Sequence, residues 1–263
     1  MTDPATEFRP TLDPAWLEAE AARDPVTHAY AVWDLQHHPD RIQLVSAVTG
    51  GRTLGYLLIW LGHPAAPVVH WVGKGPGLEP LAERLPPRPL VVTVPEEYRA
   101  LVEDARGPVV DVPLLSLLAT EPPPSETEFP GIRRLERSDR PALAAWASRQ
   151  EDPVVAEYAA LDPGGEVLWG AFDGNRLVGV VRAAVRLPRL WILGGVYVEP
   201  AARSGGRGRA LVATALTTAI AHGARLALYV RADRAPARAL YASLGFQPVD
   251  HRRWLDCGSG LLP

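Results

Sequence analysis

The stretch Val196–Leu211, VYVEPAARSGGRGRAL, joins the end of an apolar strand to a glycine-rich loop and the first turn of a helix. The β-branched and aromatic run from Trp191 to Val198 predicts a strand, which ends at Pro200 because proline cannot donate to a sheet ladder. Apolar residues then recur at helical spacing, which predicts a helix from about Arg207 to His222. The sequence therefore predicts a strand, a turn and a helix in succession.

The loop between these elements has the composition of a phosphate-binding site. Gly205, Gly206 and Gly208 lack a Cβ, so the backbone can turn sharply and direct successive N–H groups at a ligand. The helix N-terminus adds unpaired donors and a partial positive charge. Three arginines add charge on the same side: Arg203, Arg207 and Arg209. A pyrophosphate cradle is the predicted function, and a plain glycine-rich connection is the alternative interpretation.

Two other phosphate loops are excluded by the residues they require. A Walker loop needs Gly-Lys followed by Ser or Thr, but the only lysine is Lys74. A dinucleotide-binding loop needs a third glycine three places after Gly208, where Leu211 stands. The remaining pattern is Arg-x-x-Gly-x-Gly, from Arg203 to Gly208. It resembles motif A of the GCN5-related N-acetyltransferases (GNAT), which bind the pyrophosphate of acetyl-CoA in this way.

A second stretch resembles the same family. Residues Ala237 to Phe246 match its Ala-x-x-Leu-Tyr-x-x-Leu-Gly-Phe pattern. The resemblance implies that Tyr241 is the catalytic acid, which gives a proton to the departing thiolate of CoA. Arg234 stands where the family usually has a helix-capping asparagine, and Asp233 is the candidate to cap this helix instead.

The resemblance also implies where the cosubstrate acetyl-CoA binds. The cofactor would lie in a splay between the strand ending at Val198 and a strand from Leu226 to Val230. The pantetheine arm would bind backbone groups of Val196, Tyr197 and Val198. A strand N–H would polarise the thioester carbonyl. The pyrophosphate would contact the loop residues Arg203, Ser204, Gly205, Gly206, Arg207, Gly208 and Arg209. An amine would then attack the thioester directly.

The general base and the acceptor pocket are less defined. None of the candidates for the general base is selected, and a base that acts through water is also possible. The five candidates are Glu151, Asp152, Glu157, Tyr158 and Glu199. Three tryptophans either line the acceptor pocket or fill the core: Trp146, Trp169 and Trp191. The expected acceptor is a primary amine of a small molecule, an amino acid or a peptide.

Charge and composition limit the other partners. The net charge of the 263 residues is −3, but residues 1–125 carry 9 Lys and Arg against 16 Asp and Glu, and the remainder carries 18 against 14. The basic excess accompanies the loop and suits a polyanionic cofactor, yet it is too small for nucleic acid. No apolar run of membrane-spanning length, secretory signal or zinc-ligand spacing is visible. We expect a cytoplasmic monomer or homodimer without a metal, a nucleic-acid partner or a membrane partner.

The order of predicted elements indicates an α/β (α+β) protein with two GNAT-like domains, each a mixed, mostly antiparallel twisted sheet flanked by helices. RTLGYL at residues 52–57 parallels RLVGVV at 176–181, an offset of 124. The first copy lacks both motifs, so it is predicted to be degenerate. The predicted boundaries are a first domain at 1–120, a Pro-rich linker at 121–130 and an acetyltransferase domain at 131–263. The last of these is predicted to end in a pair of strands near Gln247 to Asp256.

Three functions remain open at this stage. The favoured one is an N-acetyltransferase that uses acetyl-CoA. The alternatives are a non-catalytic acyl-CoA-binding or regulatory module, and an acyltransferase with a longer acyl donor. The non-catalytic module is motivated by Arg234, which replaces the usual asparagine, and by the degenerate first half.

Overall fold

The computed structural model describes residues 6–124 and 130–261, without the side chains of residues 153, 154 and 204. Residues 125–129 of the predicted linker lie outside the described residues. The strands are β1 Thr6–Arg9, β2 Ile42–Thr49, β3 Arg52–Trp60, β4 Val68–Val72, β5 Leu90–Pro95, β6 Val110–Ala119, β7 Ile132–Arg134, β8 Leu168–Asp173, β9 Arg176–Leu187, β10 Leu190–Val198, β11 Arg225–Arg231 and β12 Gln247–Cys257. The α-helices are α1 Pro14–Arg23, α2 Pro25–His37, α3 Arg99–Arg106, α4 Arg140–Ala147, α5 Pro153–Ala156, α6 Arg207–Ala221 and α7 Ala235–Ser243.

The chain forms two compact units. The first contains the described residues up to Leu115, Arg231–Asp233 and the described residues from Asp250 onward. The second contains the described residues from Ser116 to Val230 and Arg234–Val249. Over the described ranges, no helix combines the length and the hydropathy needed to cross a bilayer.

The second unit contains a sheet with the strand order β11-β10-β9-β8-β7. Strands β10 and β11 are parallel, and the other neighbouring pairs are antiparallel. The β8–β9 hairpin turns at Gly174, whose φ of +56° a residue with a Cβ rarely adopts. Helix α4 packs on one face of this sheet through a buried cluster that includes Leu143, Trp146 and Val180. The predicted mixed, mostly antiparallel sheet with flanking helices is confirmed for this unit.

The first unit repeats this arrangement in the order β1-β2-β3-β4-β5, with β4 and β5 parallel. Its β2–β3 hairpin turns at Gly50 and Gly51, both with positive φ, as a two-residue turn between twisted strands requires. Residues Arg252 to Cys257 of β12 then pair antiparallel with β5. The core around Trp71 and Leu81 thus receives Leu255 from the far end of the chain.

The repeat predicted from the sequence has a physical basis. A Cβ on Gly55 would lie 2.4 Å from the carbonyl oxygen of Val72, and one on Gly179 would lie 3.0 Å from that of Tyr197. In each unit, therefore, a glycine permits the close approach of β3 or β9 to the end of the neighbouring strand. The units differ in the next element, because the first has a six-residue 3-10 helix, Glu79–Arg84, where the second has α6.

One prediction about the C-terminus is wrong. The sequence suggested a pair of strands near Gln247 to Asp256, whereas the structure has the single strand β12. Residues 249–256 contain neither glycine nor proline, so the chain has no favourable place to reverse direction.

The pairing of β12 with β5 makes the first unit dependent on Leu255, which is fully buried. We expect Leu255→Ala to lower the free energy of unfolding by about 2–5 kcal/mol, because the cavity it leaves adds to the lost burial. Val249→Ala is the matched control, since Val249 on the same strand is 49% exposed and should change stability by less than about 0.5 kcal/mol. Urea unfolding followed by circular dichroism measures both. Equal midpoints for the two variants would contradict this packing.

Candidate functional site

The site begins where two parallel strands of the second unit part. Among the described residues, β10 and β11 are paired from Leu190 opposite Arg225 to Leu193 opposite Leu228, and the pairing goes no further. On the other side, the register of β10 with β9 is irregular between Gly194 and Tyr197. The strand segment predicted to bind the pantetheine arm therefore borders an opening in the sheet. Val196 and Tyr197 are partly exposed there, and Val198 is buried.

The glycine loop follows this segment directly. The chain passes through a 3-10 helix, Pro200–Gly205, and then through Gly206 in the left-handed conformation at φ +70°, after which α6 begins. Of the three loop glycines, only Gly206 has a positive φ. A Cβ on Gly208 would make ordinary contacts, 3.7 Å from Leu240 and 3.9 Å from Val198. The sharp turn thus depends on Gly206, while at Gly205 a Cβ would lie 2.9 Å from the guanidinium of Arg207.

The first N–H groups of α6 are the donors that the predicted cradle would use. The first turn of any α-helix leaves them without intrahelical partners, and a 15-residue helix carries a full dipole behind them. On its other side α6 packs on the sheet through buried residues that include Ala210, Leu211 and Ala215. The helix start is therefore fixed by packing.

The three predicted arginines surround the loop but also contact the protein. Arg203 donates Nε to the carbonyl of Val198 at 2.9 Å, and its guanidinium lies 5.5 Å above the Tyr197 ring. Arg207 lies 3.3 Å from the Asp173 carboxylate, and Arg209 donates Nε to Ser243 at 3.4 Å. The side chain of Ser204 is outside the described part of the structure. The loop thus lies within a cationic rim formed by Arg203, Arg207 and Arg209.

The predicted acid, Tyr241, lies on α7, which packs beside the start of α6. Leu240 of α7 faces Gly208, and Ser243 accepts the bond from Arg209. Tyr241 is 8% exposed and packs edge to face against Phe246, with ring centroids 5.9 Å apart. Burial raises the pKa of Tyr241 to about 12, because the phenolate is poorly solvated there. Tyr241 is therefore protonated at neutral pH.

The residue at the N-cap of α7 does not cap the helix with its side chain. Arg234 occupies the N-cap position and its side chain makes no capping hydrogen bond. Pro236 lies in the first turn, where a missing N–H costs nothing and the fixed φ suits a helix. The carboxylate of Asp233 binds the Arg231 guanidinium at 2.8 and 3.1 Å.

Glu199, one of the candidate bases, is held in an ion-pair cluster. Its side chain is 9% exposed, and its two carboxylate oxygens contact Arg176 at 2.6 Å and Arg149 at 3.0 Å. Gln150 adds a contact of 3.4 Å. Both carboxylate oxygens are thus engaged by side chains of the protein. Its geometry indicates that it anchors the end of β10 to the hairpin.

The other candidates divide between surface and core. Asp152 accepts a bond from the N–H of Val155 at 3.3 Å, and Glu151 is exposed. Trp146 is fully buried against Tyr158 and Tyr197. Trp169 and Trp191 are buried as well, with ring centroids 6.5 Å apart. The structure favours the core interpretation for all three tryptophans.

Two charged residues that the sequence did not single out border the opening. Arg182 lies opposite Gly194 in the β9–β10 register, and its guanidinium is 5.9 Å from the Tyr158 ring centroid. Glu166 lies 3.7 Å from Arg182, and burial raises its pKa although Arg182 and Arg186 oppose the shift. The available signal was weak: Arg182 is one of three arginines in a strand that is otherwise apolar.

The first unit has a corresponding parting of strands, but a side chain fills it. The parallel pairing of β4 and β5 runs as far as His70 opposite Thr93. The guanidinium of Arg252, which is 7% exposed, donates to the carbonyls of Trp71 and Thr93, one from each strand. The gap between these two strands is therefore bridged by a buried cation.

The loop after β4 is also closed by its own residues. Lys74, the only lysine, pairs with Asp250 at 3.0 Å. The N–H of Gly75 donates to Glu97 at 2.9 Å, and the N–H of Gly77 donates to Glu79 at 2.8 Å. Carboxylates of the chain thus take the donors that a phosphate would need.

The described residues contain no group of three or more His, Cys, Asp or Glu side chains arranged to hold a metal ion. The donors gathered at the site are instead backbone N–H groups and arginines, which suit an anionic ligand.

Comparison with known proteins agrees with this geometry. Residues 129–246 match the model of the acetyltransferase (GNAT) family. An acetyltransferase of the GNAT family from Novosphingobium aromaticivorans, described as putative, is 25% identical, with a TM-score of 0.54 over 76% of this chain and 86% of that one. A tandem GNAT protein from the clavulanic acid biosynthesis pathway is 18% identical, with a TM-score of 0.57 over 96% and 99%. A Drosophila protein reaches a TM-score of 0.71 at 16% identity over 95% and 97%. Among curated proteins, none matches this sequence.

Residues 129–246 therefore form a domain of the GNAT acetyltransferase family, a family of acyl-CoA-dependent N-acyltransferases that generally use acetyl-CoA. The chain as a whole has a tandem GNAT fold, with two GNAT-like units. The predicted family and fold class are confirmed.

The conformation of Gly206 leads to a prediction about the loop. Gly206→Ala should cost about 1 kcal/mol of stability, because an L-residue is strained at positive φ, and should weaken acetyl-CoA binding by about tenfold because the N–H groups turn. Gly223→Ala is the matched control. It has φ +75° beyond the other end of α6, with no atoms near its Cβ position, so it should lose similar stability and keep its affinity. Calorimetric titration and thermal unfolding measure the two effects. Equal acetyl-CoA affinities in the two variants would show that the conformation of Gly206 does not matter for cofactor binding.

Proposed function

We propose that the protein transfers the acetyl group of acetyl-CoA to a primary amine of a small molecule, an amino acid or a peptide. One observation carries the proposal: the left-handed turn at Gly206 starts α6 beside the helix that holds Tyr241, next to the opening between β10 and β11. The groups that we propose to bind the pyrophosphate, to contact the thioester and to act as the acid therefore all belong to the second unit.

The proposed reaction needs no covalent enzyme intermediate. The neutral amine nitrogen forms a bond to the thioester carbon, and the carbonyl oxygen gains negative charge. Backbone N–H groups of β10 stabilise that oxyanion. The C–S bond then breaks, the thiolate takes the proton of Tyr241, and the nitrogen gives its extra proton to water as the amide forms. Tyr241 later recovers a proton from water.

Each part of the cofactor has a proposed partner. The pyrophosphate would bind the N–H groups at Gly206, Arg207 and Gly208 together with the cationic rim. The pantetheine arm would pair with the backbone of Val196 to Val198 in the place that β11 leaves open. Glu199 is not proposed as the base, because Arg149 and Arg176 hold its carboxylate.

The role of Tyr241 is tested by Tyr241→Phe, which removes the acid but keeps the ring against Phe246. We expect kcat to fall about a hundredfold, since general acid catalysis contributes at least that much, while the KM for acetyl-CoA changes little. The measurement is release of CoA thiol from acetyl-CoA with a panel of amines, amino acids and peptides. Tyr30→Phe is the control, because Tyr30 belongs to the first unit and stacks on His70.

The same panel decides between the proposal and its alternatives. Release that depends on one acceptor and falls in Tyr241→Phe would establish the transferase. Binding of acetyl-CoA without release would favour a non-catalytic acyl-CoA module. This is the second candidate because Arg234, at the N-cap of α7, makes no capping hydrogen bond with its side chain. Release only with longer acyl-CoA donors would change the proposed donor.

The filled gap in the first unit predicts the binding stoichiometry. Because Arg252 bridges β4 and β5 and carboxylates hold the donors of Gly75 and Gly77, we expect one acetyl-CoA per chain. Isothermal titration of the full chain measures this number directly. A stoichiometry of two would show that the first unit also accepts the cofactor.

A further inference from the structure

The opening in the second unit contains a distorted strand segment. Gly195 of β10 has φ +56° and is exposed, and the β9 register passes from Gly194 to Tyr197 without pairing the two residues between them. A β-bulge of this kind turns backbone groups out of the regular ladder. The bulge lies directly after Leu193, the last residue of β10 that pairs with β11.

The hydroxyl of Tyr158 holds this bulge. It donates to the carbonyl oxygen of Gly194 at 3.0 Å and to that of Gly195 at 3.1 Å, so a single proton is shared between two successive carbonyls. A trans peptide is planar, with its C=O and N–H pointing in opposite directions. The N–H groups of Gly195 and Val196 are therefore turned away from the Tyr158 hydroxyl.

The fit between Tyr158 and the bulge is close on both sides. A Cβ on Gly195 would lie 1.9 Å from the Tyr158 hydroxyl oxygen, so the contact requires glycine at this position. The Tyr158 ring is 5% exposed and packs edge to face against Trp146 at 6.0 Å. Because Trp146 is itself fully buried, the hydroxyl is held in place without a ligand.

We propose that Tyr158 is a positioning residue of acyl transfer: by binding the carbonyls of Gly194 and Gly195, its hydroxyl presents the N–H groups of Gly195 and Val196 to the thioester oxygen. The inference rests on the proposed function, since the oxygen in question belongs to bound acetyl-CoA. Tyr158 gives no proton to the reaction and takes none. Its contribution is to keep two donors aimed before charge develops, which is the condition under which such donors stabilise an oxyanion.

Tyr158→Phe tests the proposal, because it removes the hydroxyl and keeps the ring against Trp146. We expect kcat to fall about tenfold or more while the KM for acetyl-CoA is nearly unchanged, since the pyrophosphate loop is untouched. Tyr98→Phe is the matched control. It removes a hydroxyl that donates to the carbonyl of Gly75 in the first unit, and it should leave kcat unchanged.

A second measurement separates positioning from a general loss of structure. When acetyl-CoA with a ¹³C-labelled thioester carbonyl binds the wild-type protein, the infrared C=O stretch should lie at a lower frequency than in free acetyl-CoA. Most of that shift should disappear in Tyr158→Phe. If both proteins bind acetyl-CoA with the same shift and the same kcat, the role of Tyr158 is refuted and the transferase stands. If the wild-type protein binds no acetyl-CoA in calorimetry, the proposed function fails and this inference fails with it.

Discussion

The site depends on the parting of two parallel strands. Up to Leu193 and Leu228, β10 and β11 satisfy each other's backbone groups, and beyond that point those groups need other partners. A buried strand with unsatisfied donors is unfavourable, so the gap must be filled by side chains, by water or by a ligand with its own amides. The glycine loop, the start of α6 and the helix of Tyr241 are arranged around this gap. The proposed cofactor chemistry follows from that backbone requirement.

The first unit meets the same requirement differently. Its strands part after His70 and Thr93, and Arg252 donates to the carbonyls on both sides. A guanidinium has five donors in a rigid plane, which suits it to bridge two backbones. The element that would follow with an open helix N-terminus is reduced to the 3-10 helix Glu79–Arg84. The same fold thus has an open cleft in one unit and a closed one in the other. The hydrogen bonds of Arg252 and the short 3-10 helix explain the difference.

The elements that could be predicted from the sequence are those with local causes. The loop at Gly206, the hairpins at Gly50 and Gly174, and the helix of Tyr241 each depend on residues within one stretch. The membership of β12 in the first unit could not be predicted in this way, since its partner β5 is more than 150 residues earlier in the chain. The roles of Arg252 and Glu199 were missed for a similar reason, because their partners come from separate segments of the chain.

Tyr158 illustrates the limit of composition-based reasoning about a catalytic site. As a residue type it was a candidate base, because it lies in a helical region that borders the acceptor in related folds. Its geometry assigns it another role, since it donates to two carbonyls and is held by Trp146. Gly195 and Tyr158 depend on each other. A larger residue at position 195 would displace the Tyr158 hydroxyl. Without that hydroxyl, the carbonyls of Gly194 and Gly195 would each lose a hydrogen bond. In this site the backbone is the proposed electrophilic catalyst, and the side chains determine where its donors point.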